Sequence, residues 1–184
     1  MLFLETNLPG VFEIHLEPAR DSRGFFARSW CQKEFEERGL NPRLAQCNVS
    51  FNIRRGTLRG MHYQEAPKAE AKLVRCTSGS VYDVVIDLRP PSPTYKRWVG
   101  VVLAADQRNA IYVPEGCAHG FLTLEDNTEI FYQMSEFYSP ELARGVRWDD
   151  LAFQITWPGK VEVISDRDRT YADFETVQCV YCSK

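Results

Sequence analysis

Three short segments hold most of the side chains that could do chemistry, at residues 55–64, 113–120 and 131–138. The first contains Arg59, His62 and two glycines, which allow the backbone to approach a ligand closely. An arginine can hold a phosphate by paired hydrogen bonds, and an imidazole titrates near neutral pH. The second segment is a strand-like run followed by a Pro-x-Gly turn and a histidine, and the third is aromatic and polar. The first segment therefore offers both a phosphate ligand and a candidate general base.

Each of these side chains also has a plain structural interpretation. A lone histidine such as His62 is more often a hydrogen-bonded structural residue than a catalyst, and His119 could simply hydrogen-bond a turn. Tyr132 on a strand is by default half-buried packing, and Lys72 is ordinarily on a solvated strand face. No single residue decides between the two interpretations.

The composition predicts one ordinary globular domain. A chain of 184 residues is long enough to bury a core without disulfides and too short for two comfortable domains. Hydrophobic residues make up 44% and charged residues 26%, which argues against a mostly disordered chain. The net charge of −3 gives no reason to expect a nucleic-acid or membrane-surface partner.

The N-terminus and the cysteines favour a cytosolic protein. No apolar run approaches the roughly 20 residues of a membrane span, and the first residues reach Glu5 without a basic leader. The six cysteines are scattered, unlike a disulfide framework. Cys179 and Cys182 have CxxC spacing but no second pair, so we expect reduced thiols there rather than a zinc or redox site.

Alternating patterns predict several short β-strands. Residues 81–88 place Tyr82, Val84, Ile86 and Leu88 on one face and two aspartates on the other, before a proline-rich stop. Further strands are predicted at 98–103, 110–113, 120–124 and 129–134. This spacing is typical of a β-sandwich or barrel.

Helical signals are few. Ser29 could cap a helix over residues 30–38, ended by Gly39 and Pro42. The fold class predicted is therefore all-β and mostly antiparallel, a jelly roll with one or two short helices.

Taken together, the motifs resemble one family. They are RGFF at 23–26, GTLRGMHYQ at 56–64, KLVR at 72–75, DVVIDLR at 83–89, PEGCAHGF at 114–121 and RWDD at 147–150. In this order they resemble the RmlC-type dTDP-4-dehydrorhamnose 3,5-epimerases of the cupin superfamily, over nearly the whole chain. The resemblance implies a single cupin domain over residues 1–184, a homodimer, a substrate cleft in the barrel mouth and a nucleotide-sugar substrate. It implies no cofactor.

The second segment also looks like a metal-cupin motif. Metal-binding cupins usually pair it with His-x-His and a Glu, but here His62 is followed by Tyr63. The chain has three histidines, and His15 lies in an early strand-like segment. We therefore expect no metal.

The resemblance implies the catalytic roles. His62 matches the base and Asp168 the aspartate that orients it, with Asp166 as the competing candidate. Lys72 matches the cation that stabilises an enolate oxygen, and Tyr132 matches the proton donor on the other face of the sugar.

It also implies a substrate-binding set: Arg23 and Arg59 for the diphosphate, Gln46, Asn48 and His119 along the sugar and phosphate cleft, Arg167 beside the aspartate, and Tyr138 on the nucleobase. Two positions depart from the family pattern, because Arg28 and Ala143 stand where relatives carry acids associated with the nucleotide end. The nucleotide therefore need not be dTDP.

Four alternatives to a 3,5-epimerase remain at this point. A mono-epimerase would invert C3 or C5 alone, and a 3,4-ketoisomerase of similar fold would share much of the site. A non-catalytic sugar-binding jelly roll would exchange no substrate protons. A metal cupin dioxygenase would contain metal after purification.

Overall fold

The computed structural model describes residues 1–174, and within them the predicted all-β architecture is confirmed. Six strands form the first sheet in the order β1-β2-β10-β7-β12-β5, all antiparallel. Their bounds are β1 Leu2–Glu5, β2 Phe12–His15, β5 Gln46–Asn52, β7 Lys72–Ser78, β10 Ala110–Val113 and β12 Thr128–Met134. A separate hairpin, β3 Ala19–Asp21 and β4 Gly24–Phe26, lies between β2 and the first helix in the chain.

The second sheet has the order β13-β6-β11-β8-β9, and β14 adds to β6 in parallel. Its strands are β6 Thr57–Gln64, β8 Ser80–Asp87, β9 Trp98–Ala104, β11 Cys117–Thr123, β13 Ala143–Gly145 and β14 Val163–Ile164. Apolar side chains from both sheets, among them Val74, Ile130, Val85 and Phe121, form one buried cluster. The two sheets therefore pack face to face around a shared core.

The predicted alternation in β8 is confirmed. Val84 and Ile86 pack in an outer cluster with Phe153 and Phe174, while Val81 and Val85 belong to the core between the sheets. Both faces of this strand are thus covered. The predicted strand at 120–124 begins earlier, at Cys117, because the turn that precedes it is already complete at Gly116, with φ +79°.

The first helix is shorter than predicted, and its cap differs. Helix α1 spans Gln32–Glu36, with Cys31 rather than Ser29 at the N-cap and no side-chain capping bond. Gly39 follows with φ +68°. Phe35 is buried against the outer face of the first sheet, so tertiary packing holds this short helix in place. The second helix, α2, spans Asp166–Arg169.

Among residues 1–174, no helix is long and apolar enough to cross a membrane. The CxxC pair at Cys179 and Cys182 lies outside the described residues.

Asp87 ties the turn after β8 together. Its carboxylate, fully buried, accepts hydrogen bonds from Arg89 Nε at 2.8 Å and from the Ser92 and Thr94 hydroxyls. Burial alone would raise the pKa of Asp87, but these hydrogen bonds outweigh burial and hold the pKa below its ordinary value.

We expect Asp87→Asn to lower the free energy of unfolding by about 3 kcal/mol, because it removes one partner of a buried pair. Since the folded pKa is depressed, this stabilisation is fully present above about pH 4 and is lost as the pH falls further. Urea unfolding of both proteins at neutral and acidic pH measures it. If the two proteins differ by the same free energy of unfolding at both pH values, the role assigned to Asp87 is contradicted.

Candidate active site

A cavity of about 840 Å³ opens between the two sheets. Strands β6 and β11 line it from one sheet, and β5, β7 and β12 line it from the other. This volume is in the range of small-molecule sites. The cavity brings together side chains from positions far apart in the sequence, including His62, Lys72, His119, Tyr132 and Asp168.

The cavity wall at His62 depends on a close approach of two strands. A Cβ added at Gly60 in β6 would lie 2.5 Å from the Cα of Gly120 in β11, so neither strand has room for a side chain there. His62 and His119 are register partners across this contact. Two imidazoles thereby line the same cavity from neighbouring strands.

His62 is paired with Asp168. The His62 Nε2 atom lies 2.7 Å from Asp168 Oδ1, and the backbone N–H of Gly60 donates to the other carboxylate oxygen at 3.3 Å. Ser165 caps α2 by accepting from the Asp168 N–H, which fixes the carboxylate. Burial would raise the pKa of Asp168, but the hydrogen bond and charge of His62 hold it below the ordinary value. Asp168, and not Asp166, is thus the partner of His62.

Lys72 is buried beside an acid that the sequence analysis did not single out. Its Nζ atom lies 3.1 Å from Glu70 Oε1 and donates to the His62 carbonyl at 3.3 Å. Glu70 and Lys72 are two residues apart, which places both on one face of an extended segment. The ammonium is therefore held by two oxygens at the cavity wall, and it is not the solvated group that the plain interpretation expects.

Tyr132 lies on β12, in the sheet opposite His62, and lines the same cavity. Its half-buried ring packs against the core between the sheets. Burial raises the pKa of Tyr132 above its ordinary value. The phenol is therefore neutral at physiological pH and carries a proton that it can donate.

His119 is buried and pairs with a fully buried acid. His119 Nε2 lies 2.8 Å from Asp83 Oδ2, so its partner is this carboxylate and not a turn. Burial raises the pKa of Asp83, and His119 and Lys72 only partly offset this effect. Asp83 Oδ1 has no hydrogen-bond partner within the described part of the chain.

The expected substrate-binding residues divide into those that line the cavity, one that contacts a lining residue, and one that lies outside it. The lining residues are Asn48, Arg59, His119, Tyr138 and Arg167. Arg59 is already oriented, because its Nε donates to Asn52 Oδ1 at 2.8 Å.

Gln46 is not a lining residue, but its Oε1 accepts from the N–H of Tyr138, which lines the cavity, at 3.0 Å. Arg23 lies outside the cavity of its own chain. It is exposed in the turn between β3 and β4 and pairs with Asp21 at 2.6 Å. The turn that carries Arg23 is separate from both sheets.

Residues 5–176 match the family model described as dTDP-4-dehydrorhamnose 3,5-epimerase. The chain belongs to this family.

Individual relatives agree with the family match. A dTDP-4-dehydrorhamnose 3,5-epimerase from Shigella flexneri is 43% identical over 169 residues, covering 91% of this chain and 93% of the relative. The crystal structure of a dTDP-4-dehydrorhamnose 3,5-epimerase from Bacillus anthracis, with TDP and PPi bound, is 39% identical with a TM-score of 0.89, covering 94% of this chain and 99% of that one. A 3'-monoepimerase from Streptomyces bikiniensis, in complex with dTDP-quinovose, is 31% identical with a TM-score of 0.87, covering 96% and 89%.

These likenesses confirm the predicted cupin jelly roll of the dTDP-4-dehydrorhamnose 3,5-epimerase family. Of the two positions that depart from the family pattern, Ala143 lines the cavity beside Arg144, which pairs with Glu65 at 2.9 Å. Arg28 pairs with Glu34 of α1 at 2.9 Å and is not among the lining residues of its own chain.

Sequence reasoning missed three residues in or next to this cavity. Asp83 could have been found, because an acid on the inward face of an apolar strand needs a buried partner. Glu70 is two residues from Lys72, which is a weaker signal. Tyr171, whose ring contacts His62, has no sequence signal, because nothing indicated that the segment after α2 returns to β6.

Proposed function

We propose that this protein epimerises a nucleoside-diphosphate 4-keto-6-deoxyhexose at C3, C5 or both. The observation that carries the proposal is that His62 and Tyr132 line one cavity from opposite sheets. Epimerisation next to a ketone removes a proton from one face of a carbon and returns one to the other face. A base and an acid on opposite walls are what that reaction needs.

His62 serves as the base through Nδ1. Its Nε2 is engaged by Asp168, which orients the ring and stabilises the imidazolium that forms when the substrate proton arrives. The His62 side chain remains 39% exposed, so substrate can reach it, whereas that of Asp168 is 6% exposed. The more buried partner orients, and the more exposed partner reacts.

Lys72 holds the oxygen on which negative charge develops. Loss of the proton converts the ketone into an enolate, and a fixed ammonium at its oxygen is most effective in a site that excludes water. Tyr132 then donates its phenolic proton to the opposite face. Solvent afterwards restores the phenol and removes the proton from His62, so no redox cofactor takes part.

The phosphate end is assigned to Arg59 and Arg167, both of which line the cavity. The relative from Bacillus anthracis holds TDP, which makes dTDP the first nucleotide to test. Ala143 lines the cavity at a position where the family pattern has an acid. The identity of the nucleotide is therefore to be determined by experiment.

Heavy water tests the proposal. The protein is incubated with dTDP-, CDP- and GDP-linked 4-keto-6-deoxyhexoses, and NMR locates deuterium at C3 and C5. We expect incorporation with at least one nucleotide, and its absence with all three would overturn the proposal. Deuterium and inversion at C3 alone identify a mono-epimerase, the second candidate that the likeness to the 3'-monoepimerase favours.

Replacement of Tyr132 by phenylalanine separates the two proton transfers. We expect deuterium exchange to persist, because His62 still removes the proton. Conversion to the epimer should fall about 100-fold, because no phenol donates a proton to the opposite face. Coupled measurement of exchange and product by NMR provides both rates. If the variant converts substrate at the parent rate, another group is the acid.

The proposed working form is a homodimer. Strand β5 is an edge strand of the first sheet, and Val49, Phe51 and the following Ile53 are 60%, 52% and 70% exposed. A long apolar edge is a pairing surface unless it is covered. A second copy would also be needed to bring Arg23 to a cavity.

The proposed location is the cytosol. The free cysteines, including the exposed Cys47, suit its reducing conditions.

We expect Val49→Asp with Ile53→Asp to produce a monomer, because two carboxylates cannot be buried unpaired in an interface. Sedimentation equilibrium then gives half the parent mass, while Leu151→Asp, at an isolated exposed position, leaves the mass unchanged. A parent protein that is itself monomeric would contradict the proposal.

A further inference from the structure

Tyr171 packs against the proposed base from outside the cavity. Its ring meets the His62 ring edge-on, with centroids 6.3 Å apart and an interplanar angle of 71°. Tyr171 follows α2, the helix that also carries Asp168, and it is not among the residues that line the cavity. One short segment therefore contacts the same imidazole twice, by a hydrogen bond and by an aromatic edge.

The chain leaves room for this ring at Gly145. Gly145 on β13 is the register partner of His62 on β6. A Cβ added at Gly145 would overlap the ring and hydroxyl of Tyr171. Tyr171 therefore occupies the space directly over the Gly145 backbone, beside His62, and any larger residue at position 145 would displace it.

The outer end of Tyr171 is also fixed. Arg167 Nε donates to the Tyr171 hydroxyl at 3.0 Å, and the Arg167 side chain reaches the cavity. The ring is thus held by the Gly145 backbone below it and by a guanidinium at its hydroxyl. Asp168 fixes one nitrogen of His62, but a single hydrogen bond leaves the ring free to tilt about that bond.

We infer that Tyr171 is a positioning residue for His62, and that Gly145 is required because it admits the tyrosine ring. The inference rests on the proposed role of His62 as the base. Tyr171 limits the tilt of the imidazole, so that Nδ1 stays directed at the substrate carbon. It touches neither the reacting carbon nor the proton and acts through His62.

A double-mutant cycle tests the coupling between the two residues. The rate of deuterium incorporation into dTDP-4-keto-6-deoxyglucose is measured by NMR for Tyr171→Ala, Gly145→Ala and the double variant. We expect each single variant to lose about 10- to 100-fold in kcat, as a misplaced base does; a change in KM that Tyr171→Phe shares reports only the lost hydrogen bond to Arg167. The double variant should be no slower than Tyr171→Ala, because the methyl at position 145 has no ring left to displace. Tyr171→Phe keeps the ring and should restore most of the rate.

The chain contains a matched control for general packing damage. Tyr82 packs over Gly100 in the same way and meets Trp157 edge-on at 6.2 Å and 75°, on the outer face of the second sheet. Neither Tyr82 nor Gly100 lines the cavity. Tyr82→Ala and Gly100→Ala should therefore leave kcat, expressed per folded molecule, within about 2-fold of the parent, since only global stability is affected.

Four outcomes would overturn the inference. They are an unchanged kcat in Tyr171→Ala, additive losses of kcat in the cycle, a change in KM with no change in kcat, and an equal loss of kcat in the Tyr82 and Gly100 controls. If Tyr171→Ala does not fold, Tyr171→Leu replaces it in the cycle, because leucine fills much of the volume without an aromatic edge. His62→Ala separates the proposed base from the positioning role of Tyr171. Full exchange in His62→Ala refutes the assignment of His62 as the base, whereas lost exchange there with normal Tyr171 variants refutes only the positioning role.

Discussion

Substitution of His62 by alanine is expected to reduce solvent-deuterium incorporation into a 4-keto-6-deoxy nucleotide sugar by about 10²- to 10⁴-fold, which is the contribution of a positioned general base. The imidazole is the half-exposed member of the pair with Asp168, and it lines the cavity that holds Lys72 and Tyr132. NMR in heavy water measures the exchange directly. The fold should survive, because removing a partly exposed ring creates no closed cavity in the core.

Two companion variants make this result specific. Asp168→Asn keeps the shape of the dyad but removes its charge, so exchange should fall by less than in His62→Ala. His15→Ala removes an imidazole that pairs with Glu13 on β2, outside the cavity, and exchange should match the parent. Undiminished exchange in His62→Ala would show that another group is the base.

Substitution of Lys72 by methionine is expected to lower kcat by about 10²- to 10³-fold, the range for losing one fixed donor at a developing oxyanion. Methionine keeps the length and much of the volume of the side chain. Both exchange and epimer formation should fall together, because both pass through the enolate. This common loss distinguishes Lys72 from Tyr132, whose replacement should spare exchange.

The same substitution has a cost in stability that a second change should relieve. Glu70 is 8% exposed, and its Oε2 has no hydrogen-bond partner within residues 1–174, so without Lys72 it becomes a buried uncompensated charge. We expect Lys72→Met to destabilise by about 3–5 kcal/mol. Lys72→Met with Glu70→Gln should regain stability but not activity in denaturation and exchange assays. Lys68→Met, at an exposed lysine, serves as the control and should alter neither.

The parts of the fold that the sequence predicted are those with strong local patterns. The strand predicted at 81–88 from its alternation lies within one residue of β8. The strand predicted at 110–113 coincides with β10. The helix at 30–38 was predicted too long because its cap signal at Ser29 is a local preference, whereas the packing of Phe35 sets the element that forms.

The site divides in the same way. Residue types and the family resemblance indicated His62, Lys72 and Tyr132, and the resemblance favoured Asp168 over Asp166. The path of the chain after β14 then places Asp168 against His62. Contacts between residues more than a hundred positions apart leave no local pattern. For that reason the contacts of Asp168 and Tyr171 with His62 became visible only in three dimensions, whereas Asp83 and Glu70 carried a weak signal in the sequence.

The proposed reacting groups His62, Lys72 and Tyr132 are all carried on strands in the middle of the two sheets, whereas Tyr138 and Ala143 lie in or beside the connection between β12 and β13. Connections tolerate replacement far better than hydrogen-bonded strands do. Exchange of residues 136–142 is therefore expected to change the proposed nucleobase contact at Tyr138 while leaving the strands of His62, Lys72 and Tyr132 in place. The proposed nucleobase contact and the proposed proton-transfer groups thus lie on separate segments of the chain, while the proposed phosphate contacts Arg59 and Arg167 stay with the latter.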